Sequence, residues 1–260
     1  MSDCFTAPCN TIDVYTVQTT TLLAIFDFTA WIKIGMAIRI AQDLQMASEH
    51  DATAHPSQKE QFRRYFWSLS LLDRLCSCGC YRPSAILDAS CHLRLPSHGE
   101  AWRSGQEEQT STLSKVNTEP CVLSDDALSP FANVIIMGGV LAEAAQYMLQ
   151  DMDARAHYPP WDVNSDFTSI QSGLVFLETQ LQVRRLLADT VNPSSSADNT
   201  VNQAAVSHDI YAQILFHLCN CLLNHPFLLR RRLEIVKCAG PLSFLHRCFK
   251  LAWTHAQQLC

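Results

Sequence analysis

The chain of 260 residues carries a formal net charge of −6 and is 48% hydrophobic, so it is apolar enough to bury a sizeable core and too apolar to be disordered throughout. The acidic balance lacks the positive footprint of a nucleic-acid-binding domain, so we expect no direct DNA binding by this chain. Twelve cysteines would fit a secreted disulfide protein, but the N-terminal residues have no basic and apolar signal segment, and we expect reduced, mostly buried thiols.

Apolar residues recur mainly at helical spacing and strand-like alternation is rare, which predicts an all-α fold with irregular helix packing and no significant sheet. We expect one continuous domain over residues 1–260. Its core is predicted in 14–96 and 129–260. An exposed loop over 97–128 and a polar linker over 191–201 are expected to interrupt it.

The first well-patterned helix is predicted between residues 31 and 46. Its buried face is expected from residues spaced three and four apart, namely Ile34, Ala37, Ile38, Ala41 and Leu44. Charges interrupt the apolar stretch over 22–44 at Asp27, Lys33, Arg39 and Asp43. A membrane-spanning helix needs about 20 residues with few or no charges, so we expect no span here and no membrane partner.

A second helix is predicted from Ser57, which with Glu60 three residues later has the pattern of a capping box, to near Gly79. Its apolar stripe is expected to be Phe62, Tyr65, Phe66, Leu69, Leu72 and Cys76. Residues 80–96 are predicted to be extended or irregular, because Pro83 and Pro96 disfavour helix in the residues before them.

Four further helices are predicted in the second half. Ser129 as N-cap and Pro130 at the first helical position begin an apolar helix toward residue 150. A helix from near Asp166 is expected to bury Ile170, Leu174, Leu177 and Leu181. A long helix over 202–224 is expected to bury Ile210, Ile214, Leu218 and Cys221, and a last helix after Pro241 is expected to group Phe244, Cys248, Leu251, Ala252, His255 and Leu259.

Basic clusters and metal-ligating residue types each have a plainer interpretation. Arg63-Arg64, Arg184-Arg185 and residues 230–232 lie beside apolar helical faces and are interpreted as a solvated rim. The best candidates for a metal or redox site are Cys76, Cys78, Cys80, Cys91 and His92. They lack the Cys-x-x-Cys spacing typical of zinc, so packed or free thiols are favoured, and no catalytic motif points to an enzyme or a cofactor.

The order of motifs along the chain resembles the fungal-specific transcription factor domain, the regulatory region that follows the DNA-binding zinc cluster in binuclear zinc-cluster activators, of the xylanolytic activator type. Between residues 62 and 96 the motifs are Arg-Arg, aromatic-Trp, Asp-Arg, Arg-Pro and Leu-Pro. The residues that carry the resemblance over the whole chain are Trp31, Gly35, Ala37, Arg39, Ala41, Arg63, Arg64, Trp67, Asp73, Arg74, Arg82, Pro83, Leu95, Pro96, His217, Pro226, Cys248 and Ala252.

The sequence departs from the family pattern at three points. Gln45 and Tyr81 stand where the family usually has glycine. A binuclear zinc cluster needs six thiolates that include Cys-x-x-Cys pairs, and the sequence contains no Cys-x-x-Cys. We therefore expect that the zinc-cluster DNA-binding module is absent from this chain and that zinc belongs only to that module.

The resemblance implies a fungal transcription regulator that acts in the nucleus, with this chain as an effector-responsive regulatory domain. It implies other transcription proteins, a full-length zinc-cluster factor or a small-molecule inducer as partners, and a homodimer is a further option. The alternative is a stand-alone protein-interaction module that has lost DNA binding and modulates a full-length factor.

Asp73 and Arg74 adjoin a strongly apolar helical face, so whichever side chain faces inward needs a partner. Our hypothesis is that one of them pairs with Arg39, Asp43 or Arg82 and fixes the arrangement of the first helices. A pair of solvated charges is the equally weighted alternative.

Overall fold

The computed structural model describes residues 14–25, 30–49, 55–78, 83–118, 128–150, 158–180 and 203–259. These residues form ten α-helices, which we number in chain order: α1 Val14–Ile25, α2 Ala30–Asp43, α3 Pro56–Ser77, α4 Gly99–Ser104, α5 Leu113–Thr118, α6 Pro130–Ala145, α7 Asp166–Gln180, α8 Gln203–Leu223, α9 Pro226–Val236 and α10 Leu242–Leu259. Within the described ranges there is no sheet, only an isolated antiparallel bridge between Arg94 and Thr112. The all-α prediction is confirmed.

Helix α6 is the centre of the fold and packs against α3, α7 and α8. It begins as predicted, with Ser129 accepting a hydrogen bond from the Ala132 backbone N–H and Pro130 in the first turn, and continues into a π-helical turn over Gln146–Gln150. The stretch Pro130–Leu149 is long and apolar enough to cross a membrane, but 61% of its most apolar window is buried in the protein. That burial is typical of the core helix of a folded domain.

Close contact between α3 and α6 depends on a glycine. A Cβ added at Gly138 would lie only 2.5 Å from the Cδ1 atom of Leu71. The missing side chain lets the two helices approach each other, and buried residues of α3 such as Phe66 and Leu69 complete the same core.

Helices α1 and α2 pack against each other, and α2 packs on α3. The predicted face of α2 is confirmed at Ile34, Ala37, Ile38 and Ala41, which are buried, while Leu44 is half-buried. Soon after the helix ends, Gln45 adopts a left-handed backbone conformation with φ of 53°. The family resemblance predicts glycine at this position, and glycine reaches this conformation without steric cost.

The predicted capping box at the start of α3 is wrong. The N-cap is His55, whose side chain accepts the Ser57 backbone N–H, and Pro56 stands in the first turn. Glu60 does not reach back to the cap, because its carboxylate binds Arg64 and the backbone N–H of Ser97. The helix ends at Ser77, close to the predicted end.

The expectation of an exposed loop over 97–128 is wrong for its first part. Residues 97–118 contain α4 and α5, and Ser97, Leu113 and Val116 are buried. The sequence signal was weak because α4 and α5 have only six residues each, less than two turns. Residues 119–127 lie outside the described residues.

Helix α8 presents a different face to the core from the predicted one. Ile214 and Leu218 are 43% and 41% exposed, and Ile210 and Cys221 are only half-buried. The buried residues of α8 are Ala212, Leu215, Phe216, Cys219, Asn220 and Leu223. In α7, Ile170, Leu174 and Leu177 are buried as predicted. Leu181, Arg184-Arg185 and the predicted linker over 191–201 lie outside the described residues.

The predicted grouping of residues on one face of the last helix is only partly confirmed. Phe244 and Cys248 are buried, whereas Leu251, Ala252 and His255 are half-buried and Leu259 is 39% exposed. Because α10 lies at the edge of the fold and packs mainly on α8, a narrow stripe of its residues reaches the interior.

Candidate functional site

Asp73 fixes the chain that follows α3. One carboxylate oxygen, Oδ2, accepts hydrogen bonds from the Ser84 hydroxyl at 2.5 Å and from the backbone N–H groups of Ala85 and Ile86 at 2.8 and 2.9 Å. The residue is buried. A buried carboxylate that accepts three hydrogen bonds holds the turn after Pro83 against the helix.

Arg74 points in another direction and joins three elements. Its guanidinium, in a side chain only 3% exposed, donates to the Asp88 carboxylate and, at 3.0 Å, to the backbone carbonyl of Ile135 in α6. Gly139 leaves room for it, since a Cβ there would lie 3.1 Å from the Arg74 Nη1 atom. Arg74 therefore connects α3, the short 3₁₀ turn that begins at Asp88, and α6.

These contacts correct the predicted partners of the Asp73-Arg74 pair. Both side chains are buried, so the alternative of two solvated charges is wrong. Neither pairs with Arg39, which donates to Gln42, or with Asp43, which is exposed. Arg82 lies outside the described residues.

A second buried charge network surrounds the start of α3. Arg63 donates to Glu49 at 3.0 and 2.8 Å and lies 3.5 Å from Glu60, so it is not part of a solvated rim. Burial alone would raise the pKa of Glu49, but hydrogen bonds from Arg63 and from the Arg94 backbone N–H, with both guanidinium charges, lower it. Burial opposes the charge of Arg63, and its bonds to Glu49 and the charge of Glu60 raise its pKa nevertheless.

The Leu95-Pro96 segment is held between α3 and α6. Trp67 is fully buried and its indole N–H donates to the Arg94 carbonyl at 2.8 Å. The Ser129 hydroxyl, at the start of α6, donates to the Pro96 carbonyl at 2.6 Å. Hydrogen bonds thus join Trp67 of α3 to the residue before Leu95, and Pro96 to the start of α6.

A cavity of about 310 Å³ lies beside Arg74, between α5, α6 and α7. Most of its wall is apolar, and it includes Val116, Ile136, Val140 and Phe176. Asp88 and Glu143 contribute carboxylates, and Asn117 and Ser169 add polar groups. Asp88 also binds Arg74, the residue that connects α3 to α6. The cavity is therefore linked through Asp88 to the contact between these two helices.

The eighteen motif residues of the family resemblance do not gather at the cavity. Nine of the eighteen are buried: Ala37, Ala41, Arg63, Trp67, Asp73, Arg74, Leu95, Pro96 and Cys248. Four are half-buried, namely Gly35, Arg64, His217 and Ala252, and four are exposed, namely Trp31, Arg39, Pro83 and Pro226. Arg82, like Tyr81, lies outside the described residues. The motif residues therefore support the packing of several elements rather than forming one site.

The cysteine cluster shows no metal-binding geometry in the described residues, where no group of three ligating side chains occurs. Cys76, Cys78 and Cys91 form no disulfide bond. Burial raises the pKa of Cys78 and of Cys91 to about 11, which makes reactive thiolates scarce. His92 is exposed, and Cys80 lies outside the described residues.

Sequence reasoning missed several buried charges. Glu60 precedes Arg63 and Arg64 by three and four residues, a helical spacing that signals ion pairs. Arg232 was interpreted as part of a solvated rim, but it is 2% exposed and its guanidinium lies 4.0 Å from the centre of the Tyr147 ring. Its neighbours Arg230 and Arg231 are exposed, as a rim would be. No local signal in the triplet distinguishes its third arginine.

Comparisons with known proteins agree with the motif order. The family described as the fungal specific transcription factor domain matches residues 9–185. An uncharacterized transcriptional regulatory protein of Schizosaccharomyces pombe is 28% identical over 164 residues, and the match covers 56% of this chain. The chain spans 17% of the length of that curated relative. No solved structure matches the chain.

Proposed function

We propose that this chain, which belongs to the fungal specific transcription factor domain family, is the effector-responsive regulatory domain of a fungal transcription regulator and acts in the nucleus. The observation that carries the proposal is the family match over residues 9–185, which includes the buried Asp73 and Arg74. The transcriptional regulatory relative in Schizosaccharomyces pombe supports the same class of function. The role proposed is a binding and regulatory one rather than an enzymatic one.

Regulation by such a domain requires two arrangements of its helices that differ in affinity for an effector. Arg74 is suited to couple them, because it bonds to Asp88 on one side and to the Ile135 carbonyl on the other. An effector that changed the position of Asp88 would act on α3 and α6 together. Closely packed interiors do not deform continuously, so a change at Asp88 is expected to move α3 and α6 from one packed arrangement to another.

DNA recognition is assigned to another module. With a net charge of −6, the chain has little electrostatic attraction for phosphates, so we expect no binding to duplex DNA at physiological salt. In a mobility-shift assay, tight sequence-specific binding by the chain alone would contradict this part of the proposal. Zinc, in this view, belongs to a separate DNA-binding module.

A stand-alone interaction module is the second candidate. Helix α10 exposes Phe249 and Trp253, one turn apart, at 53% and 60%. Exposed aromatic residues one turn apart are the kind of surface that binds a partner protein. In this alternative the chain modulates a full-length zinc-cluster factor without contacting DNA.

A reporter assay tests the proposal. The chain is fused to an unrelated DNA-binding domain in a fungal host, and we expect a several-fold change in reporter output relative to that DNA-binding domain alone. Asp73→Ala should remove the change, whereas Arg230→Ala, at a pair 80% and 67% exposed, should retain it. Fluorescence of a tagged chain should be nuclear.

The two candidates give different outcomes in the same host. If the fused chain has no effect but the unfused chain changes the output of a full-length factor, the stand-alone module is supported. No effect in either form, with the chain folded, contradicts both.

A further inference from the structure

The cavity between α5, α6 and α7 has the size and lining of a small-molecule site. Its volume of about 310 Å³ is at the lower end of the range for ligand pockets. Apolar side chains from three helices face it, including Val116, Ile136 and Phe176. Gly139 and Gly173 leave parts of the wall without side chains, and a Cβ added at Gly173 would meet nothing within 4 Å.

The charges at the cavity are unbalanced. Asp88 and Glu143 both line it, and the guanidinium of Arg74 is engaged by Asp88 and by the Ile135 carbonyl. In the described part of the chain, no side chain donates a hydrogen bond to the carboxylate of Glu143, and the residue is exposed. Two carboxylates against one guanidinium leave one negative charge in excess.

The electrostatic environment of Glu143 agrees with an excess of negative charge at the cavity. Removal from water is the main reason that its pKa is raised, and the nearby Asp88 charge adds to the effect, while Arg74 opposes it. A ligand cation would reverse this penalty, because it would satisfy the carboxylate in a partly desolvated site.

We propose that this cavity binds a small apolar molecule that carries one ammonium group. The ammonium lies between the carboxylates of Asp88 and Glu143, and the apolar body packs against Ile136, Val140 and Phe176. An anionic ligand of the same shape is excluded, since its carboxylate would face two like charges. This inference rests on the proposed function in one respect only, that the ligand is the effector to which the domain responds.

Binding at this position has a route to the rest of the domain. An ammonium that bonds to Asp88 competes with the guanidinium of Arg74 for the same carboxylate. Arg74 then depends more on the Ile135 carbonyl, so the contact between α3 and α6 responds to the ligand.

The test uses the purified chain and three probes that share one shape: phenylbutylamine, phenylbutanol and phenylbutyrate. Isothermal titration calorimetry should detect binding of the amine, with the alcohol about tenfold weaker or more and no binding of the acid. Glu143→Gln should weaken the amine about tenfold. Glu234→Gln, an exposed carboxylate on α9, should leave affinity unchanged.

A second variant fills the cavity from an open position. Gly173→Leu adds a side chain where nothing lies within 4 Å, so the fold should remain and binding of the amine should be lost. Circular dichroism and the thermal midpoint verify that both variants fold. Equal binding of amine and acid, no binding of the amine, or full affinity in folded Gly173→Leu would each overturn the site.

The site and the proposed function fail separately. If the amine binds as expected but the reporter output of the fused chain does not respond to it, the site stands and the ligand is not the effector. If the reporter is regulated but the purified chain binds none of the probes, the function stands and this cavity is not where the effector binds.

Discussion

The Nδ1 atoms of His217 and His255 lie 2.8 Å apart and join α8 to α10. One of the two nitrogens must carry the proton and the other must accept it, so the contact requires at least one neutral imidazole. Protonation of both rings would place two cations in contact at the interface where α10 packs on the rest of the fold.

This histidine pair predicts a loss of stability in mild acid. Burial lowers the pKa of His217 from its ordinary value of 6.5, although Glu178 opposes the shift, and burial with the charge of Arg64 lowers that of His208. A lowered pKa in the folded state means that the unfolded chain binds more protons below about pH 6.5. The stabilisation is therefore complete above that pH and is lost as the pH falls through the folded-state values.

The measurement is the thermal midpoint from pH 8 down to about pH 5, within the range in which histidine titrates. We expect the midpoint to fall below about pH 6.5 and to fall less steeply in His217→Gln. The exposed His246 serves as a control, and His246→Gln should leave the slope unchanged. A wild-type midpoint that is constant over this range would show that the pair does not titrate.

Removing the Asp73 carboxylate should destabilise the domain strongly. Asp73→Ala leaves the backbone N–H groups of Ala85 and Ile86 without their acceptor, and we expect a loss of about 2–4 kcal/mol in the free energy of unfolding. Urea denaturation measures it. The exposed carboxylate of Asp43 is the matched control, because Asp43→Ala should change stability by less than about 0.5 kcal/mol. Equal effects of the two substitutions would contradict the structural role of Asp73.

Gln45 offers a stabilising substitution. Its φ of 53° costs about 1–2 kcal/mol for a residue with a side chain, so Gln45→Gly should stabilise the fold by about 1 kcal/mol. Gln42→Gly, inside α2, should do the opposite by a similar amount because glycine is a poor helix former. Chemical denaturation of both variants tests the pair. Destabilisation by Gln45→Gly would mean that the Gln45 side chain stabilises the fold by more than the strain in its backbone destabilises it.

Two helical glycines should respond oppositely to added side chains. At Gly138 even a Cβ comes within 2.5 Å of Leu71, so Gly138→Val should overpack the contact between α3 and α6 and cost about 1–3 kcal/mol. At Gly173 the space is open, and Gly173→Ala should stabilise α7 by about 0.5–1 kcal/mol through helix propensity. Thermal and urea unfolding of the two variants provide the comparison. A stable Gly138→Val variant would show that the two helices can move apart.

The helix boundaries were accessible to sequence reasoning where local chemistry sets them. Ser129 and Pro130 predicted the start of α6 because a cap and a first-turn proline act within one turn. His55 was missed as the cap of α3, because Ser57 and Glu60 have the stronger local pattern. The capping box does not form because Glu60 instead accepts a hydrogen bond from the backbone N–H of Ser97, 37 residues away.

The sequence singled out two residues of the candidate site but not their contacts. The family resemblance singled out Asp73 and Arg74, yet it could not show that Arg74 binds Asp88 and a carbonyl 61 residues further along the chain. The cavity had no signal in the sequence. It forms because α5, α6 and α7 meet around two glycines, and Glu143 acquires its role only from that meeting.

By itself, the sequence determined the all-α class, the family and most helix positions, because helical periodicity and capping depend on neighbours within a few residues. Only the tertiary structure decided which face of α8 is buried and which arginine of residues 230–232 enters the core. Apolar residues such as Ile214 and Leu218 satisfy the same period as the buried ones. Burial and the pairing of charges depend instead on which helices pack together, and that choice joins residues far apart in the chain.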